Sequence, residues 1–214
     1  MRRLILAVAV WGGMASGAVV VDRLAAIAGK HAIKLSEIER DLRVTEFLNR
    51  EPLNLAREAR RKAAERLIDQ ALIRDEMAQA GFRQAGDAGA GGLVERLRRD
   101  RFSGSDERLR QALSGYGLTE DALRAHLAWE SCVLQFIDQR FRPGVLVTDD
   151  EVREYYQQHR AELVRQYPRT PGLEALAPKI RESIEGERIN RNFEQWLNET
   201  RQQTHIEYLQ GAFQ

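Results

Sequence analysis

Only one cysteine, Cys132, stands among the 214 residues. A lone thiol closes no internal disulfide, so packing alone must hold the fold. Cys132 falls inside a helical apolar pattern and reads as a small buried side chain, because no partner base marks it as a nucleophile. Proline is scarce, with five in all, which leaves room for long helices. Neither sign of charge is in excess, 33 basic residues facing 32 acidic ones. The basic surplus that marks a nucleic-acid binder is missing. Arg96, Arg98, Arg99 and Arg101 form a local run, but interleaved acids make it a solvated helix face.

Chemistry-bearing motifs are just as sparse. The four histidines are His31, His126, His159 and His205. No two share a helix at ligand spacing, and there is no HExxH. His126 lies near the apolar face of its helix and reads as a satisfied core histidine. Neither a GxSxG nor a strand–glycine–helix dinucleotide motif occurs. Residues Gln84 to Gly92 are rich in glycine, yet Leu93 follows Gly92 where a phosphate loop needs lysine and a hydroxyl. That stretch reads as a linker. Asp149-Asp150-Glu151 follows Thr148, where acids complement a helix dipole, so it reads as a cap rather than a metal or acid–base site. These absences lead us to expect no cofactor, no metal and no catalytic site.

The first segment that is present and informative is the N-terminus. Arg2 and Arg3 precede an apolar run, Leu4 to Trp11, and Ser16-Gly17-Ala18 fits the small-x-small rule. The pattern predicts a signal peptide over residues 1–18, cleaved after Ala18, and hence a periplasmic protein. The rival is an uncleaved anchor from Leu4 to Val21, which would place the chain on a membrane.

The remaining chain, 19–214, reads as one mainly α domain. Two short apolar runs around Gly29-Lys30, within about Val20 to Leu35, predict a β-hairpin. Ser36-Glu37-Ile38-Glu39 predicts a capping box opening a helix to about Arg50. A helix from about Leu55 to Ala80 is apolar over so wide an arc that it should be buried on two sides. Gly81 stops it. Helices follow over Leu93 to Phe102, from Ser105 to Ser114, from Thr119 to Phe141, and from Thr148 to about Leu163. A last helix spans about Leu173 to Gln203, and a phase shift between Ile184 and Ile189 across Gly186 suggests a bend with different neighbours on either side. Thr204 to Leu209 alternates polar and apolar, as a half-buried strand does. A lone strand needs a partner, so the two ends of the chain should meet in one small sheet.

These segments, in this order, resemble the SurA-type periplasmic chaperones. The likeness is carried by DRLAAIAGKHAIKLSEIERDL (Asp22 to Leu42), ERLIDQALIRDEM (Glu65 to Met77) and YGLTEDALRAHLAWE (Tyr116 to Glu130). VTDDEVREYYQQHRAEL (Val147 to Leu163) and IRESIEGERINRNFEQWLNETRQQTHIEYL (Ile180 to Leu209) complete it. In that family a parvulin-type prolyl isomerase domain usually sits between the last two segments. Here only Val164 to Gly172 connects them, too short for a domain of roughly a hundred residues. The isomerase is therefore expected to be absent.

The resemblance implies a multi-helix chaperone module with a small β-sheet, its N-terminal helices completed by the last helix and strand (173–209). It implies ATP-independent binding of unfolded or nascent exported polypeptides, outer-membrane proteins among them, with no small-molecule cofactor. Candidate peptide-binding residues are Trp129, Phe136, Tyr155, Tyr156, Phe193 and Trp196, each of which also fits a core position. Two alternatives stand beside this reading: an assembly protein holding one dedicated partner, and an isomerase with an unrecognised site.

Overall fold

The computed structural model describes residues 22–82, 88–168 and 172–213. The predicted signal peptide and its cleavage site lie outside these residues, as does part of the glycine-rich stretch. Strand β1 (Leu24–Ala28) turns through Gly29, at φ +56°, into β2 (His31–Lys34). That left-handed backbone is cheap for glycine alone. β3 (Ile206–Tyr208) pairs with the other edge of β1, giving an antiparallel sheet of order β2-β1-β3. The register sets Ala26 against Tyr208 and Ala28 against Ile206. Two further backbone bonds of 2.9 Å, Gly29 N–H to His205 O and Leu209 N–H to Ala25 O, extend the ladder. The two ends of the described chain thus build one sheet, as expected.

The helices are α1 (Leu35–Asn49), α2 (Arg57–Gln79), α3 (Ala88–Phe102), α4 (Asp106–Gly115), α5 (Glu120–Phe141), α6 (Asp149–Gln166) and α7 (Leu173–Gln203). The protein is mainly α. Helix α2 is central: Ala63, Ala64 and Ile68 are fully buried with Ala25 and Ala26 of β1, while Ile73 and Met77 enter a second cluster with α5 and α7. Alanines on both surfaces let helix and sheet approach closely. This double burial is what the wide apolar arc of α2 requires.

The predicted capping box at Ser36 is corrected. The N-cap is Lys34, two residues earlier, and its N–H is donated to Glu37 Oε2 at 2.8 Å. Ser36 sits within the first turn, and its N–H and hydroxyl both donate to Asp22, at 3.3 and 2.5 Å. A second anion at this helix end, Asp22, comes from just before the hairpin, which a four-residue motif cannot reveal. The predicted linker is corrected as well: α3 starts at Ala88, five residues before the expected Leu93. Ala90 and Val94 are buried, and packing against α5 overrides the poor helix propensity of Gly89, Gly91 and Gly92.

The other caps stand where the sequence puts them. Ser105 accepts from Arg108 N–H at 3.3 Å and Thr119 from Ala122 N–H at 3.2 Å. Thr148 and Glu151 form a reciprocal capping box. Helix α7 is unbroken across Gly186 but changes neighbours there. Leu176, Ile180 and Ile184 pack with Val152 and Leu163 of α6, whereas Ile189, Phe193 and Trp196 join α5 and α2.

Candidate functional site

The groups that could carry chemistry are mostly occupied in structural bonds. His31 shares a 2.9 Å hydrogen bond with Asp75, and His159 Nδ1 donates to Tyr155 O at 3.0 Å. Asp149, Asp150 and Glu151 are answered by Arg181, Arg153 and Arg188. Arg188's hydrogen bond, then the Thr148 backbone, holds Glu151 down at about 2 against its usual 4.5. This is a helix cap and an interhelix tie. Cys132 is buried, and burial pushes its thiol up, away from the nucleophilic thiolate. No cluster of three or more metal-ligating side chains lies among the described residues. Nor is any helix among them long and apolar enough to cross a membrane.

What the helices do form is a groove. Four of them each contribute one stripe at helical spacing: Asp41, Thr45, Leu48 and Asn49 from α1; Arg66, Asp69, Gln70 and Ile73 from α2; His126, Trp129, Glu130 and Val133 from α5; and Phe193 and Leu197 from α7. Leu134 and Arg101 complete the lining of an open cavity of about 780 Å³. Its surface is mostly apolar, and Leu134 stands 68% exposed at its edge. A large apolar side chain left so open costs solvation free energy, and a contiguous patch of such residues marks an interaction surface. A neighbouring cavity of about 550 Å³ shares Asp41, Gln70, His126 and Trp129 with the first. α5 thus stands off from α1 and α2 on both sides of a narrow waist.

Ion pairs stiffen the groove. Arg66 donates to Asp41 through Nε at 3.0 Å and Nη2 at 2.5 Å, tying α2 to α1. Arg201 reaches Asp69 and ties α7 to α2. Burial raises the carboxyls of both Asp41 and Asp69, and the paired guanidinium only partly offsets it. On the far side of the waist the Arg74 guanidinium lies 4.2 Å from the centre of the Trp129 ring and fixes its face.

The six sequence candidates are scattered by this arrangement. Trp129 and Phe193 line the groove. Trp196 packs at a tilt against Phe193 and Phe141 and is not part of the groove lining. Phe136 is buried in the core, edge-on to Phe82 and Phe141. Tyr155 and Tyr156 belong to the α6–α7 cluster, Tyr155 lining a separate polar cleft with Glu151 and Arg188. Leu48, Ile73, Val133, Leu134 and Leu197 were not singled out by sequence. The signal was the stripe His126-Trp129-Glu130-Val133, whose two polar members hide it from an apolar-only reading. His126 itself is not a core residue but bonds Glu130 Oε1 at 3.1 Å on the groove wall. Neither protein-family models nor curated proteins match this chain.

Proposed function

We propose that the protein is an ATP-independent chaperone that covers apolar segments of unfolded, exported polypeptides in the groove between α1, α2, α5 and α7. The observation that carries this reading is the open cavity of about 780 Å³, with Trp129, Val133, Leu134 and Phe193 on its wall. A volume of about 300–1,000 Å³ is typical of small-molecule sites, and a few apolar side chains of a client segment are groups of that size. Helices tied to one another by ion pairs along the groove wall hold an apolar surface open, and an amphipathic or extended client segment can fill it. The resemblance to SurA-type chaperones points the same way. So does the leader-like sequence of residues 1–18, which would deliver the protein to the periplasm. In this reading the chain works without catalysis.

The test uses one preparation in two assays: light scattering of a denatured outer-membrane protein, and cis–trans turnover of a proline peptide. The expected result is delayed aggregation without turnover. Holding clients needs only micromolar affinity, roughly −8 kcal/mol. Isomerase activity surviving purification to homogeneity would overturn the non-catalytic reading. Failure to delay aggregation of any client at molar excess would favour one dedicated partner.

A further inference from the structure

The groove wall carries five formal charges, Asp41, Asp69, Glu130, Arg66 and Arg101, when histidine is counted neutral. Three of them are paired with an opposite charge, and a fourth, Arg101, is committed to a helix end. Asp41 is held by Arg66 and Asp69 by Arg201. Arg101 donates to Leu48 O at 2.6 Å, in the last turn of α1. That turn has no basic residue of its own, so Arg101 joins the C-cap residue Arg50 at the negative end of the helix. Glu130 is the exception. Its partner is His126, at 3.1 Å, and a neutral imidazole can donate that bond without cancelling the carboxylate charge. The Glu130 side chain remains 53% exposed, one turn from Val133 and Leu134 on the apolar wall. In the neighbouring cavity the remaining charges balance, Arg40 and Arg74 against Glu37 and Asp121.

We infer that the groove selects apolar polypeptide segments that carry a basic side chain beside the apolar run, the cation meeting Glu130 while the apolar residues cover Trp129, Val133 and Leu134. This rests on the groove reading above and names its substrate class. Electrostatic complementarity sets preference among occupants more than total affinity. A segment flanked by acid instead brings a like charge to Glu130. A partly exposed pair is worth little, so the expected preference is about two- to fivefold per flanking charge.

The experiment measures anisotropy of three labelled peptides sharing one apolar core and flanked by lysine, serine or glutamate. The expected order on the parent protein is lysine tighter than serine, serine tighter than glutamate, with the gap narrowing at 0.5 M salt as charges are screened. Glu130→Gln should bring the affinities of the lysine and glutamate peptides together, the readout being their ratio rather than the absolute affinity of any one peptide. Equal binding of the charged peptides to the parent, tighter binding of the glutamate peptide, or a gap that survives Glu130→Gln overturns the inference while leaving the groove reading intact. Failure of all three peptides to bind overturns the groove reading, and the inference with it.

Discussion

Arg188 of α7 hydrogen-bonds Glu151 in the first turn of α6, and Arg181 bonds Asp149 beside it at 2.5 Å. The two helices are therefore tied at their meeting edge by charge as well as by the Val152–Ile184 cluster. Glu151 is held near 2 in the folded protein against 4.5 outside it. A depressed carboxylate contributes stability above its unfolded value and loses it as pH falls through the folded one. The tie should be complete above pH 4.5 and lost towards pH 2. Arg188→Gln should lower the thermal midpoint near neutral pH and flatten its decline between pH 4.5 and 2, as unfolding scans across that range would show.

Asp41 should behave in the opposite sense. Burial raises its carboxyl despite Arg66, so its ionised form costs folding free energy as pH rises through the raised value. Asn in its place can still accept from Arg66, which is 40% exposed and keeps its hydration. Asp41→Asn should therefore change stability at neutral pH by no more than about 1 kcal/mol. It should also remove a decline in stability as pH rises above the usual carboxylate range. Urea unfolding of parent and variant in steps from below pH 3.8 up to neutrality separates the two; a loss of several kcal/mol at neutral pH would mean that the pair stabilises the fold outright.

Phe136 and Leu134 lie two residues apart on α5 and should respond in contrary ways. Phe136 is 1% exposed and Leu134 68%. Phe136→Ala should cost about 3–5 kcal/mol of stability through the cavity it leaves. Leu134→Ser should leave stability within about 0.5 kcal/mol. It should nevertheless weaken client binding by roughly tenfold, the effect of withdrawing one leucine from an apolar contact. Denaturant midpoints measured alongside aggregation kinetics distinguish these outcomes.

Phe213 is 3% exposed in the cluster of the sheet, with its ring 6.4 Å from that of Tyr208. Phe213→Ala should destabilise the protein by about 3–5 kcal/mol. Removing Gln203 to Gln214 should expose the β1 edge and promote aggregation at concentrations where the parent stays clear. A truncated chain that melts like the parent would show that β3 adds nothing to the core.

Legibility followed the range of the interactions. Caps at Ser105, Thr119 and Thr148 depend on residues three apart and were plain in the sequence, as was the hairpin turn at Gly29. The pairing of β1 with β3 could be inferred because an orphan strand has few possible partners in a helical chain. The start of α1 was misplaced because one of its anions, Asp22, is supplied from 14 residues away. The start of α3 was misplaced because glycine propensity said linker where contact with α5 said helix. The groove was least legible of all. Its wall is assembled from four separate stripes, each half polar, and only their convergence makes a surface. Trp129 and Phe193 could be named from sequence as bulky aromatics; that they face one space, and Phe136 another, depends on how α5 and α7 are rotated.

The middle strand of the sheet has its partners at opposite distances along the chain. β2 follows β1 after two residues, whereas Ala28 must wait for Ile206. Contacts of such separation carry a loop-closure penalty and form late. As the chain emerges it therefore passes through a stage in which β1 shows a free edge and α2 lacks the cover of α7. Until α7 and β3 arrive, the nascent chain presents the same kind of unsatisfied apolar surface that its finished groove is proposed to cover in others.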